Sequence, residues 1–230
     1  MVSKYMRHSR VQTNVKNKEI EIEGIKIEEV NSAKYLGTIM NADNLIEEEI
    51  KERIAADNRS FLANKKIFQN KLIIRKTKER LYHTVIRPVV VYGSECWVLT
   101  ENIKQKLLVF ERRLLGRIFG PPQKTNGEWR QETNEELENL INHENIVRHI
   151  KSKRLSWVGH VERMPDERVV KSIHKWKPHA TRPKGRPRLR WDDDVRDDLR
   201  KMGVNNWKQK AQERKPWRGI IEQDKTHKEL

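Results

Sequence analysis

The feature that most constrains this chain is a change of hydrophobic period near residue 44. Between 18 and 40 the apolar residues alternate: Ile20 and Ile22, a Glu23-Gly24 turn, Ile25 and Ile27, then Tyr35-Leu36 and Ile39. That is the period-2 spacing of strands around a tight turn. Beyond 44 the spacing becomes four and seven, and Ile46, Ile50, Ile54, Phe61 and Phe68 fall on one helical stripe. The pattern predicts a β-hairpin and one further strand followed by helices, a mainly α chain with a small N-terminal β part (α+β).

A second helix is predicted over about 72–86, ending before Arg87-Pro88 because proline biases the preceding residue away from α. Val89-Val90-Val91-Tyr92 is the one later stretch with strand character. Ile103, Leu107, Phe110, Leu114 and Ile118 mark a third helix, closed by Gly120-Pro121-Pro122. Asn134, Leu137, Leu140 and Ile141 begin a fourth, and Val147, Ile150, Val158 and Val161 a fifth. Two shorter helices, near 192–202 and 204–214, complete the pattern.

No apolar run approaches the roughly 20 residues needed to span a bilayer, and Met1-Val2-Ser3-Lys4 does not open a secretory signal. A membrane partner is not expected. The single cysteine, Cys96, excludes an internal disulfide and a Cys-based zinc site. An intracellular location follows, nuclear or cytoplasmic and not secreted. Because Cys96 comes after an apolar run, it reads as a buried, inert thiol.

The formal charge is +16, and residues 169–230 alone hold 18 Lys and Arg against 9 Asp and Glu. Within them Arg182-Pro183-Lys184-Gly185-Arg186-Pro187-Arg188-Leu189-Arg190-Trp191 concentrates cations where Pro and Gly deny a regular helix or strand. An extended basic arm of this kind suits phosphate, because each neutralised phosphate releases a counterion and Arg grips two oxygens at once. The cluster Asp192-Asp193-Asp194 with Asp197 and Asp198 follows. It reads as the first turn of a helix, where carboxylates meet free N–H groups and the positive end of the dipole. Asp194 shares a face with Asp197 or Asp198, so a divalent-metal site is the competing reading.

All seven tryptophans lie at or beyond residue 97. Trp157 and Trp207 read as large anchors for helices poor in aliphatic residues. Trp176 and Trp191 flank the arm and read either as core or as base-stacking platforms. No Gly-rich phosphate loop, His-Glu-x-x-His or paired Cys/His at zinc spacing is present, so no catalytic or metal-binding residues are assigned.

In order along the chain stand Lys4-Tyr5-Met6, the hairpin Ile20 to Ile27, Tyr35-Leu36-Gly37, Tyr92-Gly93-Ser94-Glu95-Cys96-Trp97 and Asn126-Gly127-Glu128-Trp129-Arg130. Arg154-Leu155-Ser156-Trp157-Val158-Gly159-His160-Val161-Glu162-Arg163-Met164 and Gly185-Arg186-Pro187-Arg188-Leu189-Arg190-Trp191 follow, then Arg214 and Trp217-Arg218. Taken together these strings resemble the C-terminal part of reverse transcriptases from non-LTR retrotransposons, RNA-directed DNA polymerases of transposable elements. Cys96 departs from a usual Thr, and Glu213 from a usual Asp.

The resemblance implies a right-hand polymerase whose palm aspartates, in an Ala-Asp-Asp strand, hold two magnesium ions. Asn41-Ala42-Asp43-Asn44 is only a partial echo, placed after Tyr35-Leu36-Gly37 instead of before it. A palm lysine of the family would fall near Val2 and is not there. By the resemblance the chain begins after the metal-binding strands, as a truncated copy would. It is not expected to be an enzyme by itself, to hold a cofactor, or to carry the magnesium ligands of its parent family.

The implied organisation is a palm-end hairpin region (1–43), a helical thumb-like domain (44–120) and a linker (121–133). A helical C-terminal module (134–176), the basic arm (177–191), terminal helices (192–218) and a disordered tail (219–230) complete it. The expected function is sequence-tolerant binding of RNA or DNA. The thumb contacts would be Lys65, Lys66, Lys71, Arg75, Lys76, Lys78 and Arg80, and the arm contacts Arg182, Lys184, Arg186, Arg188 and Arg190, with Trp176 and Trp191 beside them. Three other readings stand against it. Pro183-Lys184-Gly185-Arg186-Pro187-Arg188 resembles an AT-hook lying in a narrow minor groove; the Asp192–Asp198 cluster would serve a metal-dependent nuclease; and a pseudogene product would have no function.

Overall fold

The computed structural model describes residues 4–7, 20–22, 24–43, 45–120, 133–141, 144–176 and 190–226. The chain is mainly α with a small N-terminal β part, as the change of period predicts. It divides into two units, Met1–Ala56 and Asp57–Leu230.

In the first unit β1 (Lys4–Tyr5) pairs in parallel with β3 (Ile25–Glu29), and β2 (Ile20–Ile22) pairs antiparallel on the other side of β3. A separate hairpin joins β4 (Ser32–Tyr35) to β5 (Thr38–Asn41). Its two-residue turn puts Leu36 at φ 47° and Gly37 at φ 84°, the pair of positive values that matches the twist of a hairpin. Helix α1 (Glu47–Ala63) is tied to this turn by Glu49, which accepts the Ile39 N–H at 2.6 Å and the Arg53 Nε at 2.6 Å. Arg53 in turn donates to the Gly37 carbonyl at 2.6 Å.

Farther along α1, Asp57 sits on the apolar stripe between Ile54 and Phe61, fully buried, with no hydrogen bond to either carboxyl oxygen. Burial pushes its pKa up to about 7. A carboxyl whose pKa is higher folded than unfolded keeps its proton in the fold. It is harmless below its unfolded pKa and destabilises progressively as pH rises through 7. Asp57→Asn is therefore expected to stabilise the chain by about 2–4 kcal/mol at pH 8, with the gain shrinking as pH falls toward 4. Thermal melts of both proteins across that range test it; a gain that is flat with pH would refute the buried charge.

The second unit continues with α2 (Lys65–Gln69) and α3 (Arg75–Leu81). Phe61 and Phe68 stack with ring centroids 5.7 Å apart across the break at Asn64. The expected stop before Arg87-Pro88 does not occur. The chain widens into a π turn (Tyr82–Ile86), in which the Arg87 N–H reaches back to the Tyr82 carbonyl, and resumes as α4 (Arg87–Val90). Pro88 falls in the first turn of α4, where a missing N–H costs nothing. Val89-Val90-Val91 is consequently helix and turn, not strand.

Helix α5 (Glu101–Phe119) is capped by Thr100 and buries all five residues that predict it. Helix α6 (Asn134–Leu140) begins with a Thr133/Glu136 capping box, and α7 (Ile146–Glu162) with Asn145. A buried polar joint locks α5 to the π turn and to α7. Glu111 accepts the Tyr82 hydroxyl at 2.5 Å and the Ile146 N–H at 2.8 Å, and lies 3.6 Å from Arg87, which also holds Glu144 at 3.1 Å. Burial raises the Glu111 pKa, while Arg87 opposes that shift.

Four more helices follow: α8 (Val169–Lys175), which the pattern did not predict, α9 (Trp191–Lys201), α10 (Trp207–Gln212) and α11 (Arg214–Thr226). Of the tail 219–230 expected to be disordered, residues 219–226 lie in α11, which buries Ile220; the rest lies outside the described residues. Leu155, Val158, Val195, Leu199, Ala211, Trp217 and Ile220 form one core cluster across α7, α9, α10 and α11. Because α7 packs on α5 as well as on this cluster, the helices between residues 57 and 120 and those of the C-terminal part share one unit. No helix among the described residues is long and apolar enough to cross a membrane.

Candidate nucleic-acid interface

The buried charges of α7 decide what the Asp cluster does. Arg154, fully buried, donates to Asp194 and Asp198 on α9, and Lys151 Nζ lies 2.9 Å from the second carboxylate. Asp194 Oδ2 also accepts the Leu99 N–H at 3.1 Å. The i, i+4 spacing puts Asp194 and Asp198 on one face of α9, and i, i+3 does the same for Lys151 and Arg154 on α7. Two acids therefore meet two bases in a dry joint. Their helix-start role is corrected to this extent: Asp192, Asp193 and Asp194 do occupy the first turn, but Arg190 is the N-cap and makes no side-chain cap. The half-buried acids pair locally, Asp192 with Arg196 at 2.7 Å and Asp197 with Lys201 at 3.2 Å. Among the described residues no group of three His, Cys, Asp or Glu could hold a metal ion.

Around this joint the motif tryptophans act as bolts. Trp191 donates its Nε1–H to the Glu95 carbonyl at 2.8 Å and meets His174 edge-on at 5.7 Å. Gly93, at φ 69°, turns the chain into the 3₁₀ turn Ser94–Cys96 that presents that carbonyl. Trp217, buried, donates to the Leu155 carbonyl at 2.9 Å, and its indole fills the space where a Cβ on Gly159 would stand. Trp157 and Trp207 are half-buried. Cys96 is exposed, which corrects the expected buried thiol; partial burial of its sulfur and the charge of Glu95 still push its pKa up.

The sequence reading missed Lys151, Arg154 and Glu111, because a charged residue inside a helix pattern reads as its solvent side. The usable signal was the spacing: an Arg three residues after a Lys, matched by two Asp four apart.

The predicted thumb contacts are mostly free of the core. Lys65, Lys66, Lys71, Arg75, Lys76 and Arg80 are exposed along α2, the following loop and α3, whereas Lys78 is buried. Among the described residues no carboxylate forms an ion pair with Lys65, Lys66, Lys71, Lys76 or Arg80. Arg182, Lys184, Arg186 and Arg188 of the arm lie outside the described residues, and Arg190 is exposed ahead of α9. Trp176, at 63% exposure, is open to a partner, while Trp191 is half-buried and anchored as described.

No family model and no solved structure matches the chain. Over 212 residues, 88% of this chain and 74% of the relative, it is 26% identical to a Caenorhabditis elegans protein described as an uncharacterized transposon-derived protein. The chain is thus similar to a protein derived from a transposable element.

Proposed function

We propose that these residues are the thumb and C-terminal part of a non-LTR retrotransposon reverse transcriptase, and that they bind RNA or DNA through the phosphate backbone with little regard for sequence. The observation that carries this reading is how the cations are sorted. Arg87, Lys151, Arg154 and Lys171 are buried against carboxylates. Lys65, Lys66, Lys71, Lys76 and Arg80 are exposed without one among the described residues, in a chain of formal charge +16. Phosphates are the counter-ions such a surface lacks. The transposon-derived relative supports an origin in a transposable element, and the ordered motifs favour the polymerase reading within it. Residues 1–230 contain no Ala-Asp-Asp strand, and Asp194 and Asp198 are committed to Arg154 and Lys151, so binding, not two-metal chemistry, is what they are equipped for.

Changing Lys65, Lys66, Lys71, Lys76 and Arg80 to Gln tests the thumb surface. If about three of the five touch phosphate, the slope of log affinity against log salt flattens by about 3. An unchanged slope with an intact fold would refute that surface. Neutralising Arg186, Arg188 and Arg190 gives the corresponding test of the arm.

A further inference from the structure

A groove of about 720 Å³ opens where the C-terminal end of α7 and the turn after it meet the first residue of α11. Arg163, Arg168 and Arg214 line it against one carboxylate, Glu167. Arg163 spends one Nη on the Ala211 carbonyl at 2.6 Å, and its buried Nε has no partner. Burial, with the charge of Arg214 beside it, pulls the Arg163 pKa down. The neighbouring acids do not relieve this. Asp166 is held by Lys171 at 3.1 Å and Lys175 at 2.8 Å, Glu162 faces His174 at 3.8 Å, and Glu167 pairs with none of the three arginines. Three guanidinium groups thus share a concavity whose one lining carboxylate, Glu167, pairs with none of them.

The other wall is apolar. Val169, 70% exposed, begins a stripe that continues through Ile173 and Trp176, at 66% and 63%. Their i, i+4, i+7 spacing puts them on one side of α8, reaching about 10 Å from the groove. A duplex offers such a stripe nothing, since its bases are paired and turned inward. A single strand offers both a phosphate for the arginines and unpaired base faces for the aliphatic and indole surface.

We propose that this groove is a subsite for single-stranded nucleic acid, with a backbone phosphate held by Arg163, Arg168 and Arg214 and the adjoining bases laid along Val169, Ile173 and Trp176. The inference rests on the nucleic-acid reading above but uses residues separate from the thumb surface. Arg168 and Arg214 are exposed and form no ion pair among the described residues, so Arg168→Glu with Arg214→Glu should leave the fold intact, checked by thermal melting.

The test is fluorescence anisotropy of the full chain with a labelled 15-nucleotide oligo-dT and with a 15-base-pair duplex. The double variant, and separately Trp176→Ala, should bind oligo-dT about tenfold or more weakly while duplex affinity changes less than twofold. The five-Gln thumb variant should show the reverse preference. Equal loss on both ligands, or no loss on oligo-dT, overturns the subsite while leaving thumb binding standing; failure of the parent chain to bind either ligand overturns the nucleic-acid reading itself. As a control, thymidine monophosphate should compete better than inorganic phosphate. Equal competition would reduce the groove to an oxyanion site and overturn its strand specificity.

Discussion

Arg154→Ala is expected to destabilise the chain by about 3–5 kcal/mol, because it leaves Asp194 and Asp198 buried with only Lys151 between them. Deleting one partner of a buried ion pair costs far more than the pair itself contributes, since the remaining charge has lost both its water and its counter-ion. The same substitution removes the Arg154 contact with the Trp97 carbonyl, so that the Leu99 N–H bond to Asp194 is left to hold this turn against a carboxylate that has lost its arginine. Denaturant unfolding followed by tryptophan fluorescence measures the loss. Adding Asp194→Asn and Asp198→Asn to Arg154→Ala should recover a substantial part of it. A loss under about 1 kcal/mol for the single change would contradict a buried joint.

The second large effect is steric. A Cβ on Gly159 would stand 2.0 Å from Trp217 Nε1 and 2.3 Å from Cδ1, so the indole must leave its site for any side chain to fit. Leaving breaks its bond to the Leu155 carbonyl and exposes an aromatic that is 1% accessible. Gly159→Ala is expected to cost about 3 kcal/mol, from overpacking and the lost tryptophan burial combined. Gly116, within α5 and with nothing within 4 Å of its would-be Cβ, is the control: Gly116→Ala should be stabilising, by up to about 1 kcal/mol from helix propensity. Differential scanning calorimetry of the two variants separates clash from propensity, and similar melting shifts in both would contradict the packing.

These two sites explain why so much of the fold was legible and so little of the joint. The alternation of Ile20, Ile22, Ile25 and Ile27 and the α5 stripe from Ile103 to Ile118 are periodic signals, and periodic signals survive without tertiary context. Pro88 misled because its usual effect presumes an α-helical turn ahead of it; the π turn from Tyr82 moves the carbonyl it would have struck. Val89 to Val91 then followed the wrong branch, since a short apolar run suits buried helix and strand alike. Arg154 and Asp198 are 44 residues apart, and the spacing of the charges on each helix does not by itself name the partner on the other. They become readable only when two helices, residues 146–162 and 191–201, are brought face to face.

The same joint changes what the ordered motifs signify. Gly93, Trp97, Arg154, Gly159, Trp191 and Trp217 all lie in the ordered motifs, and their contacts make them parts of one interlock around α7. Their role is to hold the C-terminal helices together; under the proposed function, contact with nucleic acid falls to the cations that the core does not use.

The most direct measurement is the salt dependence of binding by the full chain to a short RNA–DNA hybrid between 50 and 200 mM monovalent salt. Log affinity should fall linearly with log salt, with a slope of about −4 or steeper if the exposed thumb and arm cations contact phosphate. A slope near zero, or the absence of binding at 50 mM, would contradict the proposal that this chain recognises the nucleic-acid backbone.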